Sequence, residues 1–257
     1  MGYNLKEAGI QFIDTIGNAY INLPGLYIYI KGNKPKTATI GAGTTTRRTG
    51  KADQPTGIKI IYAFLKNREL INAPYREIAD QAQVALGTVG RVIQDLLEQR
   101  ILVEGLNKNQ RKLADYTQLL NKWVEAYPKL KEKQRIETFT TDNPTWWKTI
   151  DLGEFNAVWG GEIAAAKYTD YLIPKDVLIY IEKTNLANFL NTARLRKLQP
   201  NEKPENIIEL IEPFWKMEKK ETTKDLAHPI LVYADLIATG DPRNIDTANR
   251  IREKYLY

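Results

Sequence analysis

The sequence predicts an α+β fold: a helical centre, strand-rich sequence before it, and mixed strands and helices behind it. Three observations predict this. Apolar residues recur at i, i+3, i+4 and i+7 from Ile58 through Ile61, Tyr62 and Leu65, the period of a helix face. Leu26-Tyr27-Ile28-Tyr29-Ile30 is aromatic and β-branched throughout, the composition of a strand. Beyond residue 150, apolar runs such as Val177–Glu182 alternate with segments of helical period, the pattern of a small α/β domain.

Taken in order, Ile10-Gln11-Phe12-Ile13 and Asn18–Leu23 lead through a Pro24-Gly25 turn into Leu26–Lys31, a hairpin signal. A lone hairpin is marginal in water, so this piece needs a partner. Gly32 to Thr56 is rich in Gly, Thr, Lys and Pro and reads as an exposed linker. A helix starts at Gly57. A second runs from Pro74 through Ala82, with proline in its first turn. A third runs from Leu86 to Gln99 with Val89, Val92, Ile93, Leu96 and Leu97 as its apolar stripe. Ile101–Glu104 and a return through Leu113 flank a basic turn at 107–112, and a helix from Tyr116 to Tyr127 follows. After Pro144 come Phe155–Trp159, a helix at Ile163–Tyr168, the strand at Val177–Glu182 and a helix at Leu186–Leu195. A strand at Ile207–Ile211 and helices at Pro229–Ala238 and Asn244–Tyr255 complete the chain. The expected divisions are 1–56, 57–145 and 146–257.

Composition removes many chemistries. The 257 residues include no cysteine and no serine, and a single histidine, His228. That excludes disulfides, a thiolate nucleophile, Cys-ligated zinc and a Ser-His-Asp triad, and no cofactor or metal is expected. The apolar runs Ile58–Leu65 and Leu226–Ala238 are too short or interrupted for a bilayer, and no signal-like segment follows Met1. A soluble, cytoplasmic protein without membrane contact is expected. Residues 1–150 carry 22 basic and 14 acidic side chains (+8), and residues 151–257 carry 15 and 17 (−2). A polyanion would therefore be held by the front of the molecule.

Tyr75–Leu97 carries the sharpest motif. Ile78 and Ala79 give the apolar pair of a first helix, Ala82 the small residue near its end, and Gln83-Val84 a tight turn. The next helix buries Val89, Ile93 and Leu96 and presents Leu86, Gly87, Thr88, Arg91 and Gln94. This is a helix-turn-helix pattern, and the hairpin after it reads as a wing. In a major groove, Arg91 can address guanine and Gln94 adenine. Arg76, Lys108, Arg111 and Lys112 are cations suited to phosphates. Two features run against the pattern. Ala85 stands where a Ser or Thr cap would serve, and Gly90 costs about 1 kcal/mol of helix propensity, although a glycine there would also let the backbone approach DNA.

Residues 57–99, with Leu70–Ala79 and Val84–Val89, resemble the AbiEi-type antitoxin transcriptional regulators of type IV toxin–antitoxin systems. The resemblance continues through Phe12–Thr15, Gly17–Tyr20, Trp123–Pro128, Trp159–Ala165, Leu231–Leu236 and Gly240–Arg243. It implies a central winged helix that binds its own promoter as double-stranded DNA, and a C-terminal domain that counters a nucleotidyltransferase-type toxin without a stable complex. A homodimer is compatible with it. Family members usually carry more sequence before Phe12-Ile13-Asp14, so residues 1–31 look like the remnant of a nuclease-like domain.

That remnant raises an enzymatic alternative. Restriction-type nucleases hold a metal with an Asp on one strand and an acid-x-Lys on the next; Asp14 and Lys31 fit the outer positions, but Tyr29 replaces the acid. A protein-interaction adaptor without DNA binding is the third reading. Gly41–Lys51 fails as a phosphate loop, since Thr45 and Ala52 occupy required positions, and Arg47 and Arg48 are either a basic arm on DNA or part of a solvated linker. Glu162, after Gly160-Gly161, together with Asp235, Asp241 and Arg243, forms either a polar functional cluster or helix caps and packing.

Overall fold

The structure, a computed structural model, describes residues 10–13, 18–24, 26–30, 50–105, 110–143, 145–199, 201–202, 207–217 and 225–256. Two compact units result, residues 1–47 and 48–257. Helices and strands are both present, as the α+β expectation requires.

In the first unit, β1 (Phe12–Ile13), β2 (Ala19–Leu23) and β3 (Leu26–Ile30) form an antiparallel sheet in that order. Leu23 lies opposite Leu26, so β2 and β3 pair as the expected hairpin strands. Tyr20 is buried, with the rings of Tyr27 and Tyr29 edge-on to it, both at 6.2 Å. Asp14 and Lys31, the ends of the nuclease-like pattern, lie outside the described residues.

In the second unit the end of the expected linker is structured: a 3-10 turn at Lys51–Asp53 buries Ala52. α1 (Pro55–Lys66) starts two residues before the expected Gly57, because Pro55 suits the first helical turn; it is buried from Ile58 to Leu65 except at Lys59. A short 3-10 helix (Arg68–Asn72) leads to α2 (Tyr75–Gln81), and α3 (Leu86–Glu98) follows a turn. Gln83 takes a left-handed φ of +52°, which lets the Val84 N–H reach back to the Ala79 carbonyl at 3.0 Å. β4 (Leu102–Glu104) and β5 (Arg111–Leu113) make an antiparallel hairpin in which Glu104 faces Arg111 and Val103 faces Lys112. The tip of that hairpin, including Lys108, lies outside the described residues.

α4 (Tyr116–Gln134) is capped by Asp115, whose carboxylate accepts from the Thr117 and Gln118 amides. It passes the expected end at Tyr127 and continues for two turns beyond Pro128. The proline sits on the exposed side, where its missing N–H leaves one helix carbonyl without its usual partner. Two more core positions, Tyr127 and Leu130, hold this extension down. Immediately after comes β6 (Arg135–Thr140), a strand the sequence reading did not anticipate.

β7 (Ala157–Gly160), α5 (Gly161–Thr169), β8 (Val177–Ile181), α6 (Lys183–Ala193), β9 (Arg196–Lys197) and β10 (Ile208–Ile211) follow. The sheet order is β7-β8-β10-β6-β9; only β8 and β10 run parallel. α7 (Pro229–Thr239) and α8 (Pro242–Tyr255) pack together and on α5. Buried side chains from Ala52 to Leu256 form one continuous core. α4 lies inside it: the Trp123 indole stacks between Tyr62 and Tyr127 at 5.5 and 4.8 Å, and its N–H donates to the Ile58 carbonyl at 3.0 Å.

Candidate nucleic-acid interface and a buried polar node

α3 is divided as its sequence spacing requires. Val89, Val92, Ile93 and Leu96 are buried, while Leu86, Gly87, Arg91 and Gln94 are exposed and Thr88 is half-buried. No part of the described second unit covers the outer face, and Leu86 is 50% exposed there. Arg76 on α2 and Lys112 on β5 are also exposed. Gln94 is partly engaged, donating to Glu98 at 3.2 Å. Asp95 holds the approach to α1 by accepting from the Ala52 amide at 2.7 Å. A shallow recess of about 390 Å³ along this helix is lined by Lys51, Gly90, Arg91, Gln94, Asp95 and Glu98. Ala85 gives α3 no side-chain cap, as its identity dictates. Arg47 and Arg48 lie outside the described residues.

Two residues here are engaged by Tyr75, on the first turn of α2. A methyl group on Gly90 would sit 3.2 Å from the Tyr75 ring, so the glycine makes room for that ring. Arg111 is half-buried and donates to the Tyr75 hydroxyl at 3.3 Å, with its guanidinium 5.4 Å from the ring centroid. Its backbone is held by Asn72, which accepts from the Arg111 N–H at 2.7 Å and donates to its carbonyl at 2.9 Å. Tyr75 and Asn72 were not singled out in the sequence; both are exposed polar residues of ordinary spacing.

In the C-terminal part, the candidate cluster resolves into two adjoining groups. Glu162 accepts from Arg243 Nη2 at 2.8 Å, Asn244 Nδ2 at 2.9 Å and the Lys175 amide at 2.6 Å. Arg243 Nη1 also donates to the Ile173 carbonyl at 2.9 Å. Asp241 joins this group as the cap of α8, accepting from the Arg243 N–H at 2.8 Å. Asp235 belongs to the second group. Only 3% exposed, it accepts from the Tyr127 hydroxyl at 2.9 Å, the Tyr180 hydroxyl at 2.7 Å and the Gly161 amide at 3.3 Å. Lys131 Nζ stands 3.3 Å from it and 3.4 Å from Glu209. The two groups meet at the turn Gly160-Gly161-Glu162.

The glycines of that turn have separate causes. A methyl on Gly160 would fall 2.3 Å from Leu178 Cδ2 and 2.6 Å from Tyr180 Cε2. Gly161 adopts φ +47°, a left-handed conformation that other residues take up with strain. Burial, and then the neighbouring Asp235 charge, hold the Tyr127 and Tyr180 hydroxyls protonated well above the usual tyrosine range. Burial also raises the Asp176 carboxyl, with Glu162 and Glu209 adding to the effect. Each carboxylate oxygen of Asp235 and Glu162 is occupied by a donor from the chain, an arrangement that ties helices to sheet. Tyr127, Tyr180 and Lys131 complete the node and were missed, because each reads as an ordinary member of an apolar stripe or a charged helix end. His228 caps α7 through Nδ1, accepting from the Ile230 amide at 3.3 Å.

Among the described residues, no group of three His, Cys, Asp or Glu side chains is placed to hold a metal ion. No helix among them is long and apolar enough to cross a membrane.

No curated protein and no solved structure matches the chain. A family model described as "Transcriptional regulator, AbiEi antitoxin, Type IV TA system" matches residues 112–257, more than half of the sequence. The matched span starts in β5 and contains both polar groups, and α1 to α3 precede it. The motif residues Tyr127, Gly160, Gly161, Glu162, Asp235 and Arg243, far apart in sequence, converge inside that span. The chain therefore belongs to the AbiEi antitoxin family of transcriptional regulators of type IV toxin–antitoxin systems.

Proposed function

We propose that this protein is the autoregulating antitoxin of its system, a repressor that binds its own promoter as double-stranded DNA. In this reading α1 to α4 with the β4–β5 hairpin act as a winged helix, and α3 enters the major groove. Residues 57–145 supply the DNA-binding part and 146–257 the antitoxin-type part, built on a shared core. The functional counterpart is a nucleotidyltransferase-type toxin, opposed without a stable complex, and the protein catalyses no reaction itself. A homodimer would read two half-sites about one helical turn apart.

The observation that carries the reading is the polar face of α3, exposed among the described residues of its unit, with Arg91 and Gln94 outward over a buried stripe. Arg91→Ala should cost about 1–3 kcal/mol and relax base preference. Lys112→Ala should weaken all sequences alike and reduce the salt slope by about 1. Gel-shift titration on the promoter duplex measures both. If neither variant alters retention, α3 and the hairpin do not contact DNA.

A further inference from the structure

Gly90 gains nothing as a helix former and is not needed to open the outer face of α3, since its missing side chain points at Tyr75. The Tyr75 ring therefore occupies a seat made for it. Although it packs on α3, Tyr75 is still 41% exposed, and its hydroxyl is the acceptor for Arg111. Arg111 belongs to the hairpin and Tyr75 to the first turn of α2, so this bond spans 36 residues and joins the two elements that flank α3.

The donor inventory of the pair is uneven. A tyrosine hydroxyl that accepts one N–H still has its own proton to donate, and a guanidinium has five N–H groups, all donors. Arg111 Nη1 uses one of these on Tyr75, and Arg111 Nε is buried with no partner among the described residues. Among the described residues, Arg111 has no carboxylate paired with it, although Glu104 lies directly across the ladder. What the pair lacks is an acceptor with more than one oxygen and a negative charge. A phosphodiester has that chemistry: one oxygen can take the Tyr75 O–H while another takes an Arg111 N–H.

We propose that Tyr75 and Arg111 form one backbone clamp for a DNA phosphate, seated on Gly90, which fixes the hairpin relative to α3. The proposal rests on the DNA-binding reading and adds to it a residue, Tyr75, that contacts phosphate through its hydroxyl. It also gives Arg111 a different role from Lys112: Arg111 is held in place before DNA arrives, whereas Lys112 is an exposed surface cation. A held donor loses little side-chain freedom on binding, so it sets register as well as attraction.

The test uses the full chain and the duplex upstream of its own reading frame, in gel-shift titration and phosphate-ethylation interference. Tyr75→Phe removes one hydroxyl and keeps the ring on Gly90, so its thermal melting should match the wild type. Its affinity should fall about tenfold, with loss of interference at one phosphate. Arg111→Ala should lose interference at the same phosphate and flatten the salt slope by about 1. In the double variant, Tyr75→Phe should add almost nothing to Arg111→Ala, because the two act as a unit. Gly90→Ala, which displaces the ring, should reproduce the interference pattern of Tyr75→Phe. If the wild type binds but Tyr75→Phe keeps full affinity and the full pattern, the clamp is wrong and the DNA reading stands. Independent, additive losses at two different phosphates would also overturn the clamp. A wild type that retains no duplex at low salt would overturn both.

Discussion

Asp235→Ala probes the node that ties α4, β8, α7 and the Gly160-Gly161 turn together. The carboxylate accepts from two phenols and one amide and faces Lys131. After its removal, the Tyr127 and Tyr180 oxygens remain 2.5 Å apart, so one hydroxyl can donate to the other. The second hydroxyl and the Gly161 N–H lose their acceptor. A buried donor left without a partner costs about 1–3 kcal/mol, which gives about 2–6 kcal/mol for the two. Relief from burying a carboxylate works the other way, but Lys131 already compensates that charge at 3.3 Å. Lys131 itself keeps Glu209 and reaches solvent, so its loss is small. The expected change is a destabilisation of about 4 kcal/mol, a large part of the total for a protein of this size. Urea unfolding followed by circular dichroism at neutral pH measures it. A companion variant, Tyr127→Phe/Tyr180→Phe/Asp235→Leu, should recover much of the loss, since removing all partners together leaves fewer orphaned donors. A loss below about 1 kcal/mol in Asp235→Ala would refute the idea that these bonds hold the elements together.

Gly160→Ala should destabilise by about 1–3 kcal/mol through overpacking, because its methyl would overlap Leu178 and Tyr180; a thermal melt within error of wild type would contradict that packing. The buried tyrosines make stability fall in alkali. Unfolded, they ionise near pH 10, whereas burial and Asp235 keep them protonated well above that in the folded protein. Stability is thus complete below pH 10 and declines above it by about 1.4 kcal/mol per pH unit for each tyrosine. Denaturation between pH 10 and 11 should show a shallower decline in Tyr127→Phe/Tyr180→Phe, with a residue from Tyr168, which burial pushes up to about 12. An unchanged slope would mean that the two hydroxyls do not titrate differently on unfolding.

Much of the architecture could be read from the chain because its signals are local. The spacing of Ile58, Ile61, Tyr62 and Leu65 gives α1, and the Val89–Leu96 stripe separates the inner and outer sides of α3. Asp241 caps the last helix, as a short polar residue before a helix commonly does. What could not be read depends on distant partners. Pro128 looked like the end of a helix because its cost is local, while the burial of Tyr127 and Leu130 that outweighs it is tertiary. β6 was hidden because Arg135–Thr140 mixes charge with apolar residues, and its role comes from pairing with β10, some 70 positions away. Asp235 stands in Leu231–Leu236, a helix apolar on all sides, where no periodic pattern indicates which way a single carboxylate points. Tyr75 was overlooked for a related reason: its meaning lies in Gly90 and Arg111, neither of which is its neighbour in sequence.

α4 has a practical consequence for anyone dissecting the molecule. Its Trp123 is wedged under α1, and a turn later Tyr127 reaches the Asp235 carboxylate. A fragment stopping near residue 145 would leave Tyr127 and Leu130 facing water as a greasy strip, prone to clumping. A fragment starting there would have an orphaned acid where the tyrosine had been. Engineered truncations should therefore carry this rod entire and mask its bared side with new polar residues, or the two pieces should be co-expressed so that each shields the other.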